Sequence, residues 1–389
     1  MNTKNVLASL KKNAMLVVLV LVYIFFMITT QGAIFKPLQF NALITQNAYV
    51  YILAVGMLMC MLTGGNIDLS CGSFVCLLGA LGGVLMVVNK MNTGVSILLM
   101  LLIGIGYGCL LGYLIAYVHI PPWIATLAGY LAFRGLGTSI LSANSNTGSI
   151  APFPQDFLAL FSGKLFSTKL NKLNVPCLAA GIAAAAIIVI VMFWSRASRV
   201  RKGYEVDSMG STIAKAAIAA AAVLLVMWKL AYAGGIPTVL VWVVGVVLIY
   251  SFITSKTTVG RHFYVVGGNM EAARLSGVNT KRIMFLAYLN MAVLTVISTW
   301  TVMARFQAAN STAGTNYEMD AISACVVGGV SASGGSGTVL GMVIGATLIG
   351  VINLGMSLMN IDANYQKVVK GVVLLGAVAF DILSNKKKK

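Results

Sequence analysis

The chain predicts an all-α polytopic membrane protein of about 10–12 transmembrane helices. Three observations carry this. Of its 389 residues, 59% are hydrophobic, and the mean hydropathy is +0.92. Only 9% are charged, whereas soluble domains carry about 25%. Apolar runs of about 20 residues, the length that crosses a bilayer core, recur from end to end. One transmembrane domain over 1–389 is the simplest organisation.

Twelve apolar segments follow in order. The first, 15–34, has basic residues ahead of it like a signal peptide but lacks a small-residue cleavage site, so it is expected to be a retained span. The next four are 43–63, 70–88, 95–118 and 122–142. Between the first two of these the chain reads Thr-Gly-Gly-Asn-Ile-Asp-Leu-Ser-Cys-Gly-Ser over 63–73, a helix-breaking run that contains Asn66, Asp68 and Ser70. Asp68 either lies at bilayer depth, where a carboxylate is costly and functional, or caps a helix starting at Leu69 with help from Ser70. Arg134 falls inside the fifth segment, where it either lines an outer vestibule or snorkels to the interface. A polar interruption over 143–174, rich in turn residues, is expected to be external.

Segments 175–194 and 213–233 are Ala-rich, which favours close helix contact, and a basic linker over 196–207 joins them. After 236–254 comes a polar loop over 255–281, then spans at 282–303, 319–334, 338–360 and 366–384. The interruption 305–320 carries Asn316, Glu318 and Asp320 and is expected to be external, with both carboxylates available to basic groups on a partner. A second break, Gly-Gly-Val-Ser-Ala-Ser-Gly-Gly-Ser-Gly, occupies 328–337. Paired breaks build transport paths in buried or water-lined places, although surface loops read the same way. Lys370 lies one turn into the last span and reaches the boundary from there.

The net charge of +18 does not indicate nucleic acid, because of where it sits. Sixteen of the 27 Lys and Arg fall in four groups: Lys4, Lys11 and Lys12; Arg196, Arg199, Arg201 and Lys202; Lys256, Arg261, Arg274, Lys281 and Arg282; and the four lysines from Lys386. With an internal N-terminus, parity puts all four groups, and so both termini, on the cytoplasmic side. The six cysteines and two histidines form no metal spacing, and no phosphate-binding loop or other cofactor motif appears.

The 255–281 loop holds Gly267, Gly268, Asn269, Met270, Glu271, Ala272, Ala273, Arg274, Leu275, Ser276 and Gly277 in succession. Asn269 is a helix cap, Glu271 complements the helix dipole, and Gly277 stops the helix after about two turns. A short capped helix between two spans suits docking against another protein.

Taken together, four runs resemble the permease subunit of binding-protein-dependent ABC importers for monosaccharides, the ribose, xylose and multiple-sugar group. They are 63–73, 267–279, 312–322 and 327–337. Where the family usually reads Gly-Gly-Ile-Asp-Leu-Ser-Val-Gly-Ser, this chain inserts Asn66 and has Cys71 for Val. An additional helical pair over 175–233 resembles the longer xylose and multiple-sugar type. The resemblance implies a type II importer arrangement that does no chemistry itself. It implies an ATP-binding subunit with tandem nucleotide-binding domains, docked on the 267–277 helix through Glu271 and Arg274. It also implies an extracytoplasmic sugar-binding protein, a second permease copy and a monosaccharide of the xylose, arabinose, galactose or ribose class. Branched-chain amino acids or nucleosides are alternative cargoes. An ion-coupled secondary transporter would need more intramembrane charged relays than Asp68 and Arg134 supply. No side-chain cluster suggests an enzyme.

Overall fold

The computed structural model describes residues 14–165, 173–204, 206 and 208–386. Lys4, Lys11, Lys12, the lysines from 387 onward and part of the 143–174 interruption therefore lie outside the described residues. Among the described residues fifteen α-helices run in order: α1 Ala14–Thr29, α2 Pro37–Leu62, α3 Cys71–Gly83, α4 Thr93–Ala116, α5 Pro122–Asn144, α6 Gln155–Ser162, α7 Val175–Arg201, α8 Met209–Tyr232, α9 Thr238–Lys256, α10 Thr258–Gly268, α11 Met270–Leu275, α12 Thr280–Phe306, α13 Tyr317–Val327, α14 Val339–Leu358 and α15 Ala363–Lys386. A π-helical turn, Val84–Val88, prolongs α3. Among the described residues, nine helices are long and apolar enough to cross a membrane.

Helix α2 is the axis of the bundle. It packs against α8, α9, α10, α12, α13 and α14, and nearly all of its second half is buried. A helix apolar on every side belongs inside a bundle rather than at a lipid surface. Helices α4, α5, α7, α8 and α9 keep most of their apolar side chains on the outside, as a lipid-facing shell does. Helices α7 and α8 pair closely: Gly181 faces Met227, and a side chain at Gly181 would meet it at 2.6 Å. The pair is pinned to the core at one end. Lys229 Nζ donates to Phe35 O at 2.7 Å and sits 3.2 Å from the Phe35 ring centroid. Four two-residue strands among the described residues make two ladders: β1 (Ser149–Ile150) pairs antiparallel with β4 (Ala309–Asn310), and at the pinned end of α7 and α8 β2 (Lys164–Leu165) pairs antiparallel with β3 (Ile236–Pro237).

Three expectations change. The segment 319–334 is not a full span: α13 has eleven residues, about 16 Å of helix, because Gly328 and Gly329 end it early. The basic residues Arg196, Arg199 and Arg201 sit on the last turns of α7 rather than in a linker. Arg, Ser and Ala sustain a helix, and nothing breaks it before Gly203 at φ +74°. The helix after Asp68 starts at Cys71, not Leu69.

Candidate functional site

Two irregular segments enter the bundle from opposite ends: the first sequence break, and the polar interruption between α12 and α13 that was expected to be external. Residues 63–70 leave the end of α2 and turn back into the bundle before α3 begins. Residues 307–316 leave the end of α12 and turn back before α13 begins. The first turns of α3 and α13 then meet. Gly72 lies against Gly314 O and the Glu318 carboxylate, so close that any side chain at 72 would collide with both. Tyr49, midway along α2, stacks on Tyr317 with centroids 3.7 Å apart and 20° between planes. The junction of the two half-helices therefore lies at mid-height of the bundle. Such irregular backbone is tolerated there because protein surrounds it.

The polar residues at this junction are buried. Asp68, Glu318 and Asp320 are 1%, 2% and 3% exposed. Asp68 Oδ1 accepts from Ser70 N at 2.8 Å and Ser70 Oγ at 2.6 Å, and Ser70 Oγ shares a 2.7 Å hydrogen bond with Tyr107 Oη. It therefore ties down the turn before α3 from inside the protein. Asn66 folds its amide back onto Thr63 O and Oγ1 at 3.1 and 3.2 Å. Arg134 donates to the carbonyls of Ser311 and Ala313 at 3.1 and 2.9 Å. It holds the turn-rich 307–316 segment instead of snorkelling. Glu318 and Asp320 are not available to a soluble partner, because both point into the protein from the first turn of α13. Glu318 Oε2 accepts no hydrogen bond among the described residues.

Asp320 has partners that the sequence did not suggest. Tyr49 Oη donates to Asp320 Oδ2 at 2.6 Å, and Lys370 Nζ lies 2.8 Å from Oδ1. Lys370 turns inward to a carboxylate rather than outward to the boundary, and so compensates a charge that Asp320 would otherwise bury unpaired. Cavities of about 200 and 250 Å³ flank this pair. The smaller is lined by Gln46, Asn47, Arg305 and Asn353 together with both tyrosines, the larger by Asn316 and Ser323. Intramembrane charge was the available signal for Lys370; nothing in the local pattern marked Tyr49 or Tyr317.

The 267–277 run meets both glycine-rich breaks, 63–73 and 328–337, at the basic end of the bundle. Gly267 lies against Leu62 O at the end of α2, and Gly335 N donates to that same carbonyl at 3.2 Å. A side chain on Gly334, at φ +88°, would meet the backbone of Gly64 at 2.5 Å, and Gly65 lies against Ala332 O. Only glycine permits backbones to approach this closely. Gly268 completes the contact beside Gly335. Tyr264 Oη donates to Gly337 O at 2.9 Å, and burial pushes this phenol up.

Beyond this contact, α11 stands out from the bundle. Asn269 Oδ1 accepts from Ala272 N at 2.9 Å and caps the helix. Ala273 is fully buried beneath it, while Ala272 is exposed. Gly277, at φ +83°, ends the helix, and Val278 N donates back to Ala273 O at 3.0 Å. Glu271 and Arg274 pair with each other at 2.8 Å with side chains 65% and 68% exposed. The outermost side chain is Leu275, 79% exposed. Sequence reasoning passed over it, because one leucine in a short helix reads as packing.

Residues 39–378 match the family model described as "Branched-chain amino acid transport system / permease component". The chain is 34% identical over 378 residues to the xylose transport system permease protein XylH of Haemophilus influenzae, covering 96% of each. It is 32% identical over 370 residues to XylH of Escherichia coli K12, covering 94% of this chain and 90% of the relative. To the ribose import permease protein RbsC of Escherichia coli K12 it is 30% identical over 350 residues, covering 90% and 86%. No solved structure matches.

Proposed function

From the premise that this chain belongs to the branched-chain amino acid transport system permease family, we propose that it is the membrane-spanning permease subunit of an ATP-driven importer for a monosaccharide of the xylose, arabinose, galactose or ribose class. The sugar assignment is supported by the relatives named for xylose and ribose. The coupling role is supported by one observation above all. The root of the exposed helix α11 touches both helix breaks through Gly267, Leu62 and Gly335. A push on α11 reaches the two half-helices without passing through any side chain.

On this reading an ATP-binding subunit with tandem nucleotide-binding domains docks on α11 at the cytoplasmic face. An extracytoplasmic sugar-binding protein delivers cargo to the opposite end, and a second permease copy completes the path. The path runs beside the polar junction of α3 and α13, where Tyr49, Asn47, Asp320 and Lys370 offer hydrogen bonds to sugar hydroxyls. The permease only couples two conformations, so each partner must bind them with different affinity.

The family description also covers branched-chain amino acids, so cargo is the point to test. The chain is to be reconstituted with its ATPase and offered binding proteins loaded with xylose, arabinose, galactose, ribose or leucine. Stimulated ATP hydrolysis and uptake with a sugar-loaded protein is the expected outcome. Stimulation by the leucine-loaded protein alone would reassign the cargo, and no stimulation by any would remove the importer reading.

A further inference from the structure

The additional pair α7 and α8 is pinned to the core at the end that carries Lys229 and the β2–β3 ladder. At its other end it stands apart from α9. A cavity of about 600 Å³ opens there between the last turns of α7, the turn after it and the end of α9. Its lining divides by depth. Val191 and Trp194 form the wall toward the middle of the helix, and Trp194 is 74% exposed. Above them stand Arg199 and Lys202 from α7 and its cap, and Lys256 from the last turn of α9, with Ser195 and Ser198 between. Tyr204, 65% exposed, closes the rim. A second cavity of about 390 Å³ adjoins it on the α8 side, lined partly by Arg196 and Lys215.

The level of this cavity in the bilayer follows from helix length. Helix α7 has 27 residues, about 40 Å at 1.5 Å each, against a hydrocarbon core of about 30 Å. Its final turns therefore emerge into the headgroup layer. Trp194 and Tyr204 are the residue types that settle at that boundary. We propose that the cavity is a binding site for an anionic phospholipid. Its phosphodiester sits among Arg199, Lys202 and Lys256, its headgroup and glycerol oxygens accept from Ser195 and Ser198, and an acyl chain runs along Val191 and Trp194. Free phosphate would use the same cations but would leave the apolar wall uncovered. The lipid fills the gap between α7 and the end of α9, and it gives the additional helices a role separate from the sugar path.

The test uses the full chain in nanodiscs of phosphatidylcholine, with or without phosphatidylglycerol, and in phosphatidylcholine nanodiscs with added inorganic phosphate. Thermal melting and the lipid retained through detergent exchange, read by mass spectrometry, are measured for the parent, for the triple variant Arg199→Gln, Lys202→Gln, Lys256→Gln, and for Lys90→Gln as a control away from the cavity. Phosphatidylglycerol should raise the melting temperature of the parent and of the control and remain bound to both. The triple variant should bind it roughly a hundredfold more weakly, at about fivefold per cation near the surface, while melting like the parent in phosphatidylcholine. Should the triple variant fold poorly, Lys202→Gln alone, on an exposed side chain, is expected to show the single-cation share of the loss. Equal melting of the parent in both lipid compositions overturns the site. So does protection by inorganic phosphate alone, or phosphatidylglycerol retention unchanged in the variants.

Discussion

At the scale of single residues, the junction is defined by charges that have little access to water. Asp320 is held by Tyr49 and Lys370. Removing one member of such a pair leaves an uncompensated charge, which costs more than removing both. Lys370→Met is therefore expected to destabilise the chain by about 3 kcal/mol. Adding Asp320→Asn should recover most of that stability. If the pair serves the sugar path, uptake stays low in the double variant although its melting temperature returns. Recovery of uptake together with stability would mean that the pair is structural only. Sequence alone placed Lys370 one turn inside a span and Asp320 in an external stretch. Both placements were reasonable for residues read singly, because the pairing exists only once α13 turns its first turn inward. Asp68 and Arg134 were legible as unusual charges in apolar surroundings, but their hydrogen-bond partners were not.

At the scale of elements, α11 was the most legible part of the chain. Its cap, first-turn acid, small residues and terminal glycine all lie within eleven consecutive residues, and local rules govern each of them. What escaped the pattern is what α11 presents. Glu271 and Arg274 satisfy one another, and the unsatisfied group is the apolar Leu275. Leu275→Asp should weaken association with the ATPase roughly tenfold or more, since burying one leucine in a groove contributes about 1.5–3 kcal/mol. The melting temperature of the isolated permease should not move, because Leu275 is already exposed. Co-purification by affinity chromatography, with melting as the companion measurement, checks this. Undiminished capture of the ATPase would remove Leu275 from the interface. Helix α10 was not legible, because it depends on where a neighbouring backbone passes and not on periodicity. The shortness of α13 was half legible: Gly328 and Gly329 marked a break, but the apolar run across them read as a longer span.

At the scale of the whole molecule, the shell of lipid-facing helices around a buried α2 follows from composition and segment length. Their order in space does not, because apolar runs of similar length and hydropathy are interchangeable to any pattern rule. The orientation rests on charge alone. The basic end, with Arg199, Lys256 and Arg282, should face the cytoplasm. A single cysteine placed at Met270 in a cysteine-free background should react with a membrane-impermeant thiol reagent only in inverted vesicles. Reaction in intact cells would invert the molecule. The glycine contact among Leu62, Gly267 and Gly335 has a mechanical consequence on the importer reading. A joint built of side chains has play, since each rotamer can swing before the load reaches its neighbour. Main chain bearing on main chain has none. Displacement at the rim of the molecule is then delivered to its centre with almost no lost motion, so a stroke well under one residue's length is enough to drive the transport cycle.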